Sequence, residues 1–169
     1  MELDEVADEL YALDLADFTS TRTQREKAAR AAGDRDLAQQ IHALRKPSTA
    51  AWLLNRLARS HADEVRALLD VGRALREAQA TLEGEALREL SRQRRQLVYA
   101  LGQQVRAVGG QAGLKVSDDV AREVEQTLDA ALADADVAAA LAAGRLTAAL
   151  QYAGFGPVPE AAPLAASRT

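Results

Sequence analysis

Apolar residues recur every three or four positions along most of this chain, a spacing that puts them on one face of an α-helix. The clearest stripes occupy residues 63–82 and 85–108 and are separated by a turn at Gly84. Two amphipathic helices joined by a short glycine turn form an antiparallel helical hairpin. The pattern therefore predicts an all-α fold, an antiparallel helical bundle built round this long hairpin.

The two stripes also predict a register for the hairpin. Read outward from the turn, the facing pairs are Leu82 with Leu87, Gln79 with Leu90, Leu75 with Arg94, Gly72 with Leu97 and Leu68 with Leu101. An unpaired guanidinium buried in an apolar seam is very unfavourable. We therefore expect Arg94 to reach the edge of the bundle or to meet an acid such as Glu77.

Start and stop signals predict shorter helices on both sides of the hairpin. Residues 2–13 form the first, and the later ones begin at N-cap residues and end at glycine. The predicted N-caps are Asp17, Asp34, Ser48 and Ser117, and the predicted terminating glycines are Gly33 and Gly144. A last apolar segment follows and runs to Tyr152. We expect one helical domain over residues 1–155 and a flexible tail, rich in Pro and Ala, over residues 156–169.

Four structural anchors are predicted where the third and fourth helices meet. Because a residue before proline is pushed out of helical geometry, Pro47 ends one helix and Ser48 caps the next. Trp52 is then the largest core anchor, and the Asn55 amide is expected to bond a neighbouring connection. In the alternative interpretation, an exposed recognition patch consists of Arg45, Lys46 and Trp52.

Composition excludes several classes of protein. The chain has one Ile and 11 Val among 169 residues, whereas strong helix formers dominate, so a sheet-based fold is not expected. The absence of Cys excludes a disulfide framework, a thiolate zinc site and a cysteine nucleophile, and it agrees with a reducing cytoplasm. The acidic N-terminus lacks the features of a signal peptide, and no apolar run is long enough to span a membrane. We expect a cytoplasmic protein that does not enter a membrane.

No set of residues converges on catalysis. The two histidines, His42 and His61, lie in different predicted elements, and no metal-binding motif surrounds either one. The glycine-rich stretch 109–115 lacks the Gly-Lys-Ser/Thr order and the preceding strand of a phosphate-binding loop. Asp118 and Asp119 are explained as acids at a helix N-terminus. We therefore expect no catalytic residue, no metal site and no cofactor, and we do not expect an enzyme.

Charge is arranged in blocks along the chain. Residues 1–20 and 116–136 are strongly acidic, whereas residues 21–60 and 84–115 are basic. In the first interpretation, the acidic helices neutralise the basic ones inside the bundle; in the second, the basic blocks face a polyanion. The candidate polyanion contacts under the second interpretation are Arg22, Arg25, Arg30, Arg45, Lys46, Arg92 and Arg95.

Several short motifs carry a resemblance to a known family. In chain order they are Leu10-Tyr11-Ala12-Leu13, Phe18-Thr19 with Arg22, Ala31-Ala32-Gly33-Asp34-Arg35, Ala43-Leu44-Arg45-Lys46-Pro47-Ser48, Ala50-Ala51-Trp52, Asn55-Arg56-Leu57-Ala58-Arg59, Ala143-Gly144-Arg145-Leu146-Thr147 and Ala153-Gly154-Phe155-Gly156. With these motifs the chain resembles an uncharacterised all-helical protein family of actinobacteria and other GC-rich bacteria. The resemblance implies a helical fold in the cytoplasm and supplies no catalytic residue. Members of that family often continue into a long charged coiled coil.

These features favour a non-enzymatic helical interaction or scaffold module that binds a protein partner or self-associates. The alternative is a DNA- or RNA-associated regulatory protein that contacts phosphates through Arg-rich helices, because arginine forks match phosphate geometry. Two facts weigh against that alternative: the chain has only six aromatic residues for base stacking, and its net charge is −4.

Overall fold

A computed structural model describes residues 1–151 of the chain, which form helices and no strand. The α-helices are α1 (Leu3–Ala12), α2 (Phe18–Ala31), α3 (Arg35–His42), α4 (Thr49–Ser60), α5 (Ala62–Thr81), α6 (Gly84–Gln111), α7 (Asp118–Ala133) and α8 (Ala135–Ala143). A 3-10 turn at Leu15–Asp17 precedes α2. The all-α prediction is confirmed. Tyr152 and the predicted tail over residues 156–169 lie outside the described residues.

Three of the four predicted N-caps are confirmed by hydrogen bonds. The side chains of Asp34, Ser48 and Ser117 accept backbone N–H bonds at the starts of α3, α4 and α7, at 3.0, 3.2 and 3.1 Å. The fourth prediction is wrong, because the Asp17 side chain makes no cap bond. The chain enters α2 directly from the 3-10 turn, so Asp17 has a helical backbone (φ −94°, ψ −7°) that aims its side chain away from the free N–H groups.

The buried apolar residues form two separate cores. The N-terminal cluster packs α1, α2 and α3 around Val6, Ala7, Leu10, Tyr11, Phe18, Ala29, Ala38, Ile41 and Leu44. The larger bundle core is supplied by α4 to α8 and by the segment after α8, and its fully buried leucines are Leu53, Leu54, Leu57, Leu68, Leu101, Leu128, Leu141, Leu146 and Leu150. Helix α4 carries the most buried residues, so it is the central element of the bundle.

The predicted hairpin is present, as α5 and α6 pack along each other more extensively than any other pair of described helices. Its predicted register is wrong at two points. Gly72 faces α7, because a Cβ added there would lie 3.0 Å from the Leu132 Cα. Leu82 is 86% exposed and has a left-handed backbone (φ 57°), so it does not pair with Leu87. A left-handed backbone costs a leucine about 1–2 kcal/mol.

As predicted, Arg94 is not buried, but the acid that it contacts is not the expected one. Arg94 is half-exposed and donates to the Asp129 carboxylate of α7 at 2.8 Å, rather than to Glu77. The reason is tertiary: α7 packs on the hairpin, so the acid that reaches Arg94 comes from a third helix.

The four predicted anchors at the start of α4 lie inside the molecule or cap its helix. Trp52 is 3% exposed, and its Nε1 donates to the Leu13 carbonyl at 2.8 Å. This burial contradicts the alternative in which Trp52 belongs to an exposed patch. Pro47 is buried, but α3 already ends at His42, earlier than the proline requires. The backbone leaves the helix there, and Leu44 packs into the N-terminal cluster.

The non-helical segment after α8, residues 144–150, is a strap whose Leu146 and Leu150 pack into the bundle core. Asn55 holds it with two buried hydrogen bonds, one from its Nδ2 to the Leu146 carbonyl (2.9 Å) and one from the Leu146 N–H to its Oδ1 (2.8 Å). The Leu150 N–H donates to the buried Thr127 hydroxyl at 2.8 Å. The prediction that Asn55 bonds a neighbouring connection is confirmed.

Among the helices of residues 1–151, none combines the length and the apolar character needed to cross a membrane.

Candidate binding groove between α6 and α7

The candidate polyanion contacts on α2 and α6 are largely occupied by partners within the molecule. Arg25 forms two hydrogen bonds with the Glu9 carboxylate, both 2.6 Å, and the bond from Arg25 lowers the pKa of Glu9. Arg22 donates to the Leu44 carbonyl at 2.6 Å. Arg30 pairs with Glu26 at 2.9 Å and Arg92 pairs with Glu89 at 2.7 Å.

The other three candidates are exposed and lie in the connection before α4 and on α6. Arg45 and Lys46 are exposed in the connection before α4, where the Arg45 carbonyl accepts a hydrogen bond from the Tyr11 hydroxyl at 2.9 Å. Arg95 is exposed on α6. The α2 residues belong to the N-terminal cluster and Arg95 to the bundle, so the candidates are divided between two separately packed regions.

Ion pairs between helices agree with the interpretation in which acidic helices neutralise basic ones within the molecule. Glu9 of α1 pairs with Arg25 of α2, and Asp129 of α7 pairs with Arg94 of α6. The acidic and basic blocks therefore neutralise each other in part.

Arg145 joins the strap to α1 and was not anticipated from the sequence. Its side chain is 6% exposed and donates to Asp8 at 2.6 and 3.0 Å, to the Asp4 carboxylate at 2.9 Å and to the Asp4 carbonyl at 3.1 Å. Burial alone would lower the pKa of the guanidinium, but the hydrogen bonds to Asp8 and Asp4 more than offset it, so its pKa is raised. The sequence signal was a lone arginine in an otherwise apolar segment.

A groove of about 400 Å³ lies between α6 and α7. These helices follow each other in the chain, yet they leave this space open along their outer faces. Val105, Val124 and Leu128 form its buried floor, and Tyr99, which is 70% exposed, stands at its rim.

Gly102 leaves the middle of the groove open. A Cβ added to Gly102 would meet no atom within 4 Å, although the residue is in the interior of α6. Glycine within a helix is destabilising by roughly 0.5–1 kcal/mol relative to alanine. This position therefore keeps the groove open at a cost to the helix. The sequence does not single out Gly102, because a glycine on a helix face has no periodic signal of its own.

The two walls of the groove carry opposite charges. Arg94, Arg95 and Arg106 line the α6 side, and Glu125 and Asp129 line the α7 side. Arg94 and Asp129 form an ion pair with each other, whereas Arg95 and Arg106 make no hydrogen bond or ion pair within residues 1–151. An occupant of the groove therefore meets an apolar floor, two available guanidinium groups on the α6 side and the Glu125 carboxylate on the α7 side.

Over the described part of the chain, no group of three or more His, Asp or Glu side chains is arranged to hold a metal ion. Comparison of the chain with protein-family models, with curated proteins and with solved structures finds no match.

Proposed function

We propose that this protein is a non-enzymatic helical interaction module, and that it binds an acidic segment of a protein partner, carrying an apolar anchor, in the groove between α6 and α7. The observation that carries the proposal is the groove itself, with its apolar floor and the exposed ring of Tyr99 at its rim. Partner sites of this kind bury apolar anchors in a pocket surrounded by polar residues, and tyrosine is enriched among the residues that dominate binding.

Charge supports an acidic occupant. Arg95 and Arg106 lie on the groove wall without partners among the described residues, while the arginines of α2 are engaged within the N-terminal cluster. Carboxylates of an incoming segment can pair with these two guanidinium groups while its apolar side chains enter between the helices. The absence of Cys from the sequence supports action in the cytoplasm.

A displayed library of helical peptides tests the proposal directly. Wild-type protein should enrich peptides with apolar residues three and four positions apart and flanking Asp or Glu. Gly102→Phe fills the groove with an aromatic ring and should lose those peptides. Gly110→Phe is the matched control, because it makes the same change on the same helix outside the groove, where an added Cβ also meets nothing.

Equal retention of the peptides by Gly102→Phe and Gly110→Phe would contradict the proposal. A second arm measures duplex DNA binding against salt concentration. Binding that weakens steeply with salt, at a log–log slope of about −0.9 per phosphate contacted, would favour the nucleic-acid alternative. In that case the joint replacement of the exposed Arg45 and Lys46 by Glu should weaken binding and leave the helical signal unchanged.

A further inference from the structure

Large apolar side chains are exposed at few places among residues 1–151. They are Met1 (70% exposed), Leu82 (86%) and Tyr99 (70%). Met1 is the first residue of the chain, so two internal positions remain. Tyr99 is on the rim of the groove, and Leu82 is at the tip of the α5–α6 hairpin. Tyr99 is therefore at the edge of a cavity, and Leu82 is an apolar projection.

Leu82 is unsuited to its position on two independent grounds. It terminates α5 with a left-handed backbone (φ 57°), a conformation that favours glycine or asparagine. It also holds an apolar side chain in water. Within residues 1–151, every other residue with a left-handed backbone is a glycine. Residues held in unfavourable conformations concentrate at functional sites, so the leucine side chain itself points to a role.

The charges around the tip complement those of the groove. Glu77, Glu83 and Glu85 are exposed, and between residues 77 and 87 the chain carries no base. The tip is therefore a leucine flanked in the chain by Glu83 and Glu85, and the nearest exposed base, Arg88, lies one helical turn further along α6. This is the chemistry that the groove wall of Arg95 and Arg106 accepts.

We propose that the hairpin tip of one copy of this chain docks into the α6–α7 groove of a second copy, with Leu82 entering beside Gly102 and Tyr99. The inference rests on the proposed function, since it names the occupant of the same groove. The tip cannot reach the groove of its own molecule. Gly84 and Gly102 lie on one continuous helix, which separates them by about 27 Å. The contact joins two different surfaces, so it either occurs twice in a two-fold dimer, in which each tip enters the other copy's groove, or repeats to build chains or rings.

Two single substitutions separate the two halves of the contact. Leu82→Gly removes the projection and relieves the left-handed backbone, so it should raise the thermal midpoint by about 2–4 °C. Gly102→Phe blocks the groove and leaves the tip intact. Light scattering coupled to gel filtration, over a concentration series, should show wild type forming oligomers and each variant remaining monomeric. Gly110→Phe should behave as wild type.

Mixing the two variants gives the decisive measurement. Leu82→Gly retains a working groove and Gly102→Phe retains a working tip, so an equimolar mixture should form a one-to-one heterodimer and nothing larger. A double variant, Leu82→Gly with Gly102→Phe, should stay monomeric in every mixture. A thermal melt of each variant reports whether it is folded. If Gly102→Phe is not, Arg95→Glu with Arg106→Glu replaces it, and its mixture with Glu83→Lys plus Glu85→Lys should restore association through the exchanged charges.

Three outcomes would overturn the inference: a monomeric wild type throughout the concentration series, oligomers that both variants retain, or variants that fail to associate when mixed. The proposed function stands apart from these outcomes, because the displayed peptides can also be tested on Leu82→Gly, which retains the groove and lacks the projection. Peptides retained by a monomeric wild type and lost by Gly102→Phe would leave the groove as a binding site and remove only the second copy as its occupant.

Discussion

The N-terminal cluster and the helical bundle are both built from amphipathic helices, but different interactions hold them together. The bundle surrounds α4, whose residues from Ala50 to Leu57 are buried with a single exception, and its strap is fastened by buried hydrogen bonds to Asn55 and Thr127. The N-terminal cluster has a smaller core, and hydrogen bonds at its edge supplement it, such as those between Arg25 and Glu9.

The joint between the two regions is polar and uses both ends of the described chain. The Trp52 indole of the bundle donates to the Leu13 carbonyl, and Arg145 of the strap binds Asp4 and Asp8 of α1. Polar contacts depend on direction, whereas apolar burial does not, so these bonds determine how the cluster sits on the bundle. From this difference we expect the bundle to be the more stable unit, and the cluster to be attached to it by directional polar bonds in addition to the packing of α1 on α4.

Removal of Trp52 should have the largest effect, since it belongs to the bundle core and also bonds the cluster. We expect Trp52→Ala to lower the free energy of unfolding by about 3–5 kcal/mol. Urea unfolding followed by far-UV circular dichroism measures this, because the variant lacks the only tryptophan. Trp52→Phe is the control: it keeps an aromatic ring and loses the indole N–H, so it should cost less than half as much. An alanine variant within about 1 kcal/mol of wild type would show that Trp52 does not anchor the joint.

The second largest effect is expected when Asn55, whose amide holds the strap, is replaced. Asn55→Leu leaves the N–H and carbonyl of Leu146 buried without partners, and we expect a loss of about 3 kcal/mol. Hydrogen exchange should rise in residues 144–150 while α1 is unchanged. Gln126→Ala, which removes only an exposed contact to Gln151, should do neither. Faster exchange in α1 alone would mean that Asn55 supports the cluster and not the strap.

The joint itself should respond to Arg145→Met, which keeps the shape of the side chain and removes its hydrogen bonds. Asp4 and Asp8 are 58% and 64% exposed, so water replaces the lost partner and the cost is about 2 kcal/mol. Hydrogen exchange should accelerate in α1 and stay constant in α6. The control is Arg122→Met, which removes an exposed pair with Asp119 and should change stability by less than about 0.5 kcal/mol. Equal acceleration across both regions would remove the distinction between them.

The remaining effect appears only at alkaline pH and belongs to the N-terminal cluster. Burial raises the pKa of Tyr11 from 10.0 to about 12, so the folded protein keeps its proton where the unfolded chain loses it. The free energy of unfolding should therefore fall between pH 10 and pH 12, by at most about 1.4 kcal/mol per pH unit. Tyr11→Phe should flatten this slope, and Tyr99→Phe, at an exposed tyrosine, should not. If Tyr11→Phe left the slope unchanged, groups other than Tyr11 would be responsible for the pH dependence.

The helices and most of their ends were predictable because the information is local. Periodicity, N-cap side chains and glycines act within a few residues, so α3, α4 and α7 begin where Asp34, Ser48 and Ser117 indicated. The prediction that Asp17 caps α2 was wrong for a different local reason, because a 3-10 turn precedes this helix in place of a side-chain cap.

By itself the sequence determined that the chain is helical, that its long hairpin turns near Gly84 and that Asn55 must find a partner outside its own helix. Only the tertiary structure decided where the partners are. Gly72 packs on α7, Arg94 meets Asp129, and the groove opens between α6 and α7. A repeating apolar stripe states which face of a helix is buried, but several neighbours can cover the same face. The choice among them depends on the packing of all the helices together, to which distant parts of the chain contribute.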